Sequence, residues 1–209
     1  SPMLIKKVQP VYSAVEKVKE LRINSTREAT KKLADTPMLF GEIRQPDNDY
    51  LVIPCHSSEK RRYIPIGYVD KNVICSNANI IVPNANLYSF GILMSNVHNS
   101  WMRAVSGRLE MRYRYSIKVV YNNFPWPNPT DEQKQKIEKT AQMILDARTK
   151  YPNSSLADLY DELTMPVELR KAHQLNDIAV MEAYGFNWKK MTESDCVAEL
   201  MKMYQDLIK

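Results

Sequence analysis

The chain has 209 residues, 44% of them hydrophobic, enough for a packed core in one large domain or two small ones. Its five glycines stand apart, which argues against a phosphate-cradling loop, and Cys55, Cys75 and Cys196 form no C-x-x-C or Cys/His cluster of zinc spacing. The net charge of +5 is unevenly spread: residues 1–125 hold 18 Lys/Arg against 10 Asp/Glu, a net of +8, and residues 126–209 hold 11 against 14, a net of −3. This suits a polyanion-binding front and a solvated back; ordinary fluctuation in a globular protein gives the same numbers. The sparse, odd cysteine count fits a reducing compartment. No apolar run reaches membrane-span length and no signal peptide is visible, so the chain reads as cytoplasmic. It begins within what reads as continuing sequence, as a piece of a longer protein would.

The first region, about 9–35, is helical. Val11, Val15, Val18 and Leu21 recur at helical spacing with Lys and Glu between them. Ser25 followed by Glu28 spells a capping box for a second helix from near Thr26 to Leu33, closed by Asp35-Thr36-Pro37. The second region, about 37–125, is strand-rich. Short β-prone runs at Met38–Phe40, Tyr50–Ile53, Tyr63–Ile66 and Ile80–Val82 are separated by Pro46-Asp47-Asn48-Asp49, Asp70-Lys71-Asn72 and Pro83-Asn84. One helix is predicted there over Tyr88–Val105, with Leu93, Val97, Trp101 and Val105 on one face and Gly107 ending it.

The third region, about 126–209, is helical again. Thr130 and Gln133 predict a capped helix to Lys150, stopped by Pro152. Pro166 opens the next helix, which ends at Gly185. Thr192 caps the last one, with Val197, Leu200, Met201 and Tyr204 facing inward.

Catalytic spellings are missing. His56, His98 and His173 are scattered, and the adjacent Cys55 and His56 diverge on a strand rather than forming a dyad. Glu132-Gln133-Lys134 opens a helix and lacks the strand-end partners of a metal-dependent nuclease. Asn122-Asn123-Phe124-Pro125 only superficially resembles the Asn-Pro-Pro-aromatic motif that holds a flipped adenine.

Two basic segments remain. Ser57-Ser58-Glu59-Lys60-Arg61-Arg62 places hydroxyls and cations in an inter-strand loop that can grip phosphates, or is simply a solvated hairpin tip. If Arg108–Tyr115 is extended, Glu110, Arg112 and Arg114 share one face and Leu109, Met111, Tyr113 and Tyr115 the other. Glu accepts from cytosine N4 and Arg grips guanine O6 and N7, so a Glu-x-Arg pair can read both halves of one C·G pair. A salt bridge between the same charges is the other reading of that spacing.

At these residues the chain resembles a known family. Thr36–Arg44, Ser57–Glu59, Arg61–Gly67, Tyr88–Leu93, Trp101–Val105, Tyr113–Ser116 and Tyr121–Pro127, in that order, resemble the target recognition domain of MmeI-like restriction–modification enzymes. Ile144–Arg148, Ser155–Asp161 and Leu163–Pro166 resemble that family's C-terminal helical domain.

The resemblance implies an upstream domain that uses S-adenosylmethionine to methylate adenine N6, joined in some relatives to an N-terminal Mg²⁺ nuclease. It implies that Glu110 and Arg112 occupy paired specificity positions, where Lys with Asp is another pairing. Arg114, Cys55, Asn77 and Ala78 fall near other base-reading positions.

The expected architecture is α+β: a helical arm (1–36) linking to a methyltransferase domain, a small β-rich recognition domain with a packed helix (37–127), and a helical C-terminal domain (128–209). The expected partner is double-stranded DNA. Its bases are read by Glu110, Arg112, Arg114, Cys55, Asn77 and Ala78. Its phosphates are held by Ser57, Ser58, Lys60, Arg61, Arg62 and Arg103. No catalytic residue, metal site or cofactor is expected in this chain, and no membrane contact. The alternative is a non-catalytic protein-interaction module of a restriction–modification complex.

Overall fold

A computed structural model describes residues 2–209. The chain divides into two compact units, one ending at Gln45 and the other spanning Pro46–Lys209. The expected α+β class is found, with 51% helix and 10% strand, so short strands pin a middle region that is largely irregular chain.

The first unit contains α1 (Pro2–Lys6), α2 (Gln9–Ile23), α3 (Glu28–Lys32) and a 3₁₀ turn at Leu33–Asp35. Pro10 lies in the first turn of α2, where its missing N–H is not needed. No residue of α2 is buried, and Val11 and Leu21 of its apolar stripe stay exposed. What ties α2 to the following chain is Arg22, whose guanidinium donates to the carbonyls of Leu33, Thr36 and Leu39 at 2.8–2.9 Å. The capping box expected at Ser25 does not form: Ser25 Oγ accepts from the Arg27 N–H, and α3 starts after Arg27 without a side-chain cap. Met38–Phe40, expected as a strand, is turn and bend, with Phe40 exposed.

In the second unit β1 (Tyr50–Pro54) is the centre of an antiparallel sheet of order β3–β1–β4, flanked by β3 (Gly67–Val69) and β4 (Asn79–Val82). A second antiparallel sheet has the order β2–β6–β5, from β2 (His56–Ser57), β6 (Arg112–Arg114) and β5 (Gly107–Leu109). Tyr63–Ile66, expected as a strand, is buried irregular chain. Pro65 has no N–H for a ladder. The backbone there is satisfied by side chains instead: Ile64 N–H donates to Asn99 Oδ1, Arg103 donates to the Arg62 carbonyl and Arg148 to the Ile66 carbonyl.

The helix predicted over Tyr88–Val105 is two helices, α4 (Leu87–Met94) and α5 (Asn96–Val105). Ser95 between them is extended and caps α5, its Oγ accepting from His98 N–H while donating to the Ile92 carbonyl. A π-helical turn (Ile117–Tyr121) follows β6, and Trp101 Nε1 donates to the Val120 carbonyl within it.

Helix α6 (Asp131–Thr149) starts with the expected Thr130/Gln133 capping box, and α7 (Leu156–Leu159) with one from Ser155 and Asp158. Helix α8 (Val167–Ala183) begins after Pro166 and ends before Gly185, whose φ of +73° is the left-handed C-terminal conformation. Helix α9 (Glu193–Leu207) is capped by Thr192 and buries Cys196 and Leu200. Helices α4, α6 and α8 meet around Gly91, where a Cβ would lie 2.7 Å from Ile137 Cγ2 and 3.2 Å from Ala141 Cβ. Asn176 on α8 donates to the Gly91 carbonyl and accepts from Thr140 Oγ1 of α6. The sheets and the C-terminal helices thus share one hydrophobic core.

Candidate nucleic-acid interface

The run Arg108–Tyr115 is not one extended strand. It folds into a tight hairpin in which Leu109 pairs with Arg112, and Glu110 and Met111 make the turn. Glu110 adopts φ +56°. Two-residue hairpin turns need positive φ to match strand twist. The expectation that Glu110, Arg112 and Arg114 share a strand face is therefore corrected: Arg112 and Arg114 do, and Glu110 stands at the tip. The side chains still meet, because Arg112 donates to Glu110 Oε2 at 2.8 Å with both residues exposed. Leu109 and Met111, expected to anchor the opposite face, are exposed. Tyr113 supplies that anchor at 8% exposure. Arg108 covers its ring, the guanidinium carbon 3.9 Å from the centroid, and donates to the Met111 carbonyl.

Cys55 is where the chain passes from the first sheet to the second. Its N–H donates to the Ala78 carbonyl at 3.0 Å, and its carbonyl accepts from Tyr115 N–H at 2.9 Å. The next residue, His56, pairs with Arg114. Tyr115 is fixed in turn by its hydroxyl, 2.9 Å from His98 Nε2. Cys55, Ala78, Arg114, Arg112 and Glu110, drawn from three separated segments, are thereby joined through one set of backbone pairings, with the exposed Asn77 adjoining Ala78.

These are the elements of a polar surface on a rigid support. Residues 1–128 match the family described as MmeI, target recognition domain, and residues 129–209 match MmeI, C-terminal domain. The chain belongs to the MmeI family. It is 52% identical to the type IIL restriction-modification enzyme MmeI, solved in complex with DNA, with a TM-score of 0.89 over 95% of this chain and 26% of that one. It is 41% identical to DNA methyltransferase A of Bacillus subtilis (strain 168), over 90% of this chain and 21% of that protein. The chain therefore spans about a quarter or less of the relatives it matches.

Within this MmeI-family domain the six residues expected at the phosphates are placed differently from one another. Lys60 and Arg62 are exposed beside β2, and Ser58 is half-buried, its Oγ accepting from Lys60 N–H. Ser57 points to the inner face of its sheet at 5% exposure, its hydroxyl without a partner among the described residues. Arg61 is half-buried and donates to the Ala157 carbonyl. Arg103 donates to Glu193, the Arg62 carbonyl, Asn96 and Ser100, and its side chain is only 16% exposed.

A second polar group, which the sequence patterns do not flag, locks the 58–66 loop to the helices. Tyr63 donates to Asp177 Oδ2 at 2.7 Å, Asn96 N–H donates to Oδ1, and burial pushes this carboxyl up to about 6. Tyr63 also stacks on His173, centroids 4.1 Å apart. His173 Nε2 meets the Tyr160 hydroxyl at 2.7 Å, and Arg148 donates to that same hydroxyl. The contacts of Asp177 with Tyr63 and Asn96, and of His173 with Tyr63, each span more than 80 positions, which hides the group from local spelling. Among the described residues no set of three His, Cys, Asp or Glu is placed to hold a metal ion, and no helix is long and apolar enough to cross a membrane.

Proposed function

We propose that this chain reads DNA sequence for an adenine-N6 DNA methyltransferase, with the solvent face of sheet β2–β6–β5 entering the major groove. The observation that carries this reading is the hairpin: Arg112 and Arg114 project side by side from a strand whose inner residue, Tyr113, is buried. A guanidinium fork delivered by a supported strand is suited to guanine O6 and N7. Glu110 adds an acceptor for cytosine N4. In the free protein Glu110 and Arg112 hold each other, and an exposed ion pair of this kind contributes only about 0–1 kcal/mol. It is readily exchanged for the complementary edges of one C·G pair. Cys55, Asn77 and Ala78 lie beside this face and are assigned to neighbouring bases.

Lys60, Arg62 and Ser58 are assigned to backbone phosphates, which position the domain without specifying sequence. Arg61, Ser57 and Arg103 support that loop from within. The relatives' names support the activity of the whole protein, in which S-adenosylmethionine supplies the methyl group. None of this chain's five glycines leads a strand into a helix N-terminus, so its residues do not fit a cofactor cradle, and the reading places the cofactor elsewhere in the protein. With DNA as substrate, the place of action is the cytoplasm.

The test is a charge exchange, Glu110→Lys with Arg112→Asp, in the full-length protein, followed by genome-wide mapping of N6-methyladenine. The expected outcome is a motif with one C·G pair replaced by G·C. An unchanged motif at undiminished methylation removes these residues from base reading and favours a protein-binding role for the basic face.

A further inference from the structure

In one row across the proposed reading face, two of the three residues, His56 and Gly107, have been given no role in base reading. His56 lies directly opposite Arg114 on one side, and Gly107 directly opposite it on the other. The Tyr115 N–H to Cys55 carbonyl bond makes that pair a hydrogen-bonded one. His56 and Arg114 are then the adjacent non-hydrogen-bonded pair, whose Cα atoms stand about 4.5 Å apart and whose side chains lie closest. Ser57 and Tyr113, the next residues, point inward and are buried, so His56 and Arg114 point out together. Neither side chain has a hydrogen-bonding or ionic partner among the described residues.

Gly107 completes the row with nothing. It has no positive φ, and a Cβ built on it meets no atom within 4 Å. Neither backbone conformation nor packing therefore requires a glycine there. What its bareness provides is an open floor on the solvent side of Arg114.

A guanidinium fork beside an imidazole has a definite complement. The fork fits guanine O6 and N7, and a neutral imidazole carries one acceptor nitrogen, which suits the N4 amino group of the paired cytosine. We propose that His56 is a further specificity-determining residue: it accepts from the cytosine whose guanine Arg114 grips, and Gly107 leaves room for the edge of that base pair. The proposal rests on the reading of this sheet as the base-contacting face.

The experiment maps N6-methyladenine for the full-length protein and its variants in a host lacking other adenine methylation. Arg114→Ala and His56→Ala are expected to relax the same single motif position, each by about tenfold or more in discrimination. His56→Gln, which keeps an acceptor, recovers part of it. Gly107→Leu is expected to lower methylation about tenfold or more while leaving the thermal unfolding midpoint at the wild-type value. A sharp motif in His56→Ala, relaxation at a position Arg114→Ala does not touch, or full methylation by Gly107→Leu overturns the proposal. The Glu110→Lys/Arg112→Asp exchange separates the two levels: if it moves the motif while the His56 and Gly107 variants do not, only this inference fails. If it leaves the motif in place, the underlying reading fails and takes this inference with it.

Discussion

Glu110 carries two burdens, a left-handed backbone and one half of an ion pair. A non-glycine residue in that conformation costs about 1 kcal/mol, most for β-branched side chains. Glu110→Gly removes the strain and loses a weak surface pair, so its stability is expected to stay within about 1 kcal/mol of wild type. Glu110→Val is expected to lose about 1–2 kcal/mol and to loosen the hairpin, taking the Arg112 contact with it. In the proposed reading, the glycine variant then relaxes one motif position and the valine variant weakens methylation generally. Thermal midpoints together with methylation mapping check both, and a valine variant as stable as the glycine one sinks the account. At this scale the sequence revealed the period-two alternation of Arg112, Tyr113 and Arg114. It hid the turn, because Glu-Met lacks the Gly, Asn or Asp that marks a two-residue hairpin. The meeting of Cys55 with Ala78 was also hidden, since strand pairing sets it. Arg103, spelled like any surface cation, is a clamp for a reason only tertiary structure contains: its acceptors come from Arg62, Asn96 and Glu193.

Among the elements, the C-terminal helices were the most legible. Thr130 with Gln133, Pro166, Gly185 and Thr192 are local chemistry acting on local backbone, and each works where it was read. The Tyr88–Val105 stretch was less legible because its apolar spacing runs on through a break. Ser95 stops the helix by binding backbone on both sides, a competition that serine side chains readily enter. Tyr63–Ile66 looked like a strand by composition, but its partners are side chains of Asn99 and Arg148 rather than another strand, and Arg103 holds the preceding Arg62 carbonyl. Helices α4, α6 and α8 approach closely at Gly91, and the consequence is measurable. Gly91→Ala sets a methyl group 2.7 Å from Ile137 Cγ2 and 3.1 Å from Asn176 Oδ1. Both neighbours are buried on packed helices, so the helices must part. A loss of about 1–3 kcal/mol is expected by chemical denaturation, in spite of alanine's better helix propensity. A stabilised Gly91→Ala would show that α4 and α6 pack less closely than described.

For the molecule as a whole, three buried ionisable groups shape the response to acid: His173 and Asp177, which tie the recognition part to the C-terminal helices, and His98 within the recognition part. Burial lowers His98 to about 4 and holds His173 well below the ordinary imidazole value. Unfolded imidazoles titrate near 6.5. Below that value the unfolded chain takes up these protons and the folded protein resists them, His98 down to about pH 4, so stability falls as pH falls. Asp177 acts in the opposite sense. Burial raises its folded value to about 6 from about 3.8, so in that window the folded state holds a proton that the unfolded state has lost, and acidification stabilises. Each group changes stability by roughly 1.4 kcal/mol per pH unit where its two states differ by a full proton. Two imidazoles against one carboxyl leave a net loss, on the order of 1 kcal/mol, between pH 6 and pH 5. Asp177→Asn can keep the Asn96 N–H bond and, with the Tyr63 hydroxyl turned to accept, the second contact as well, while removing the opposing titration. Its loss over the same interval is expected to steepen to roughly twice that of the unsubstituted protein. Urea denaturation of both proteins at pH 7, 6 and 5 measures the difference. Parallel curves would mean that Asp177 does not take up a proton in the folded state in this range, and that the Tyr63–Asp177 junction carries a charge at both ends of it.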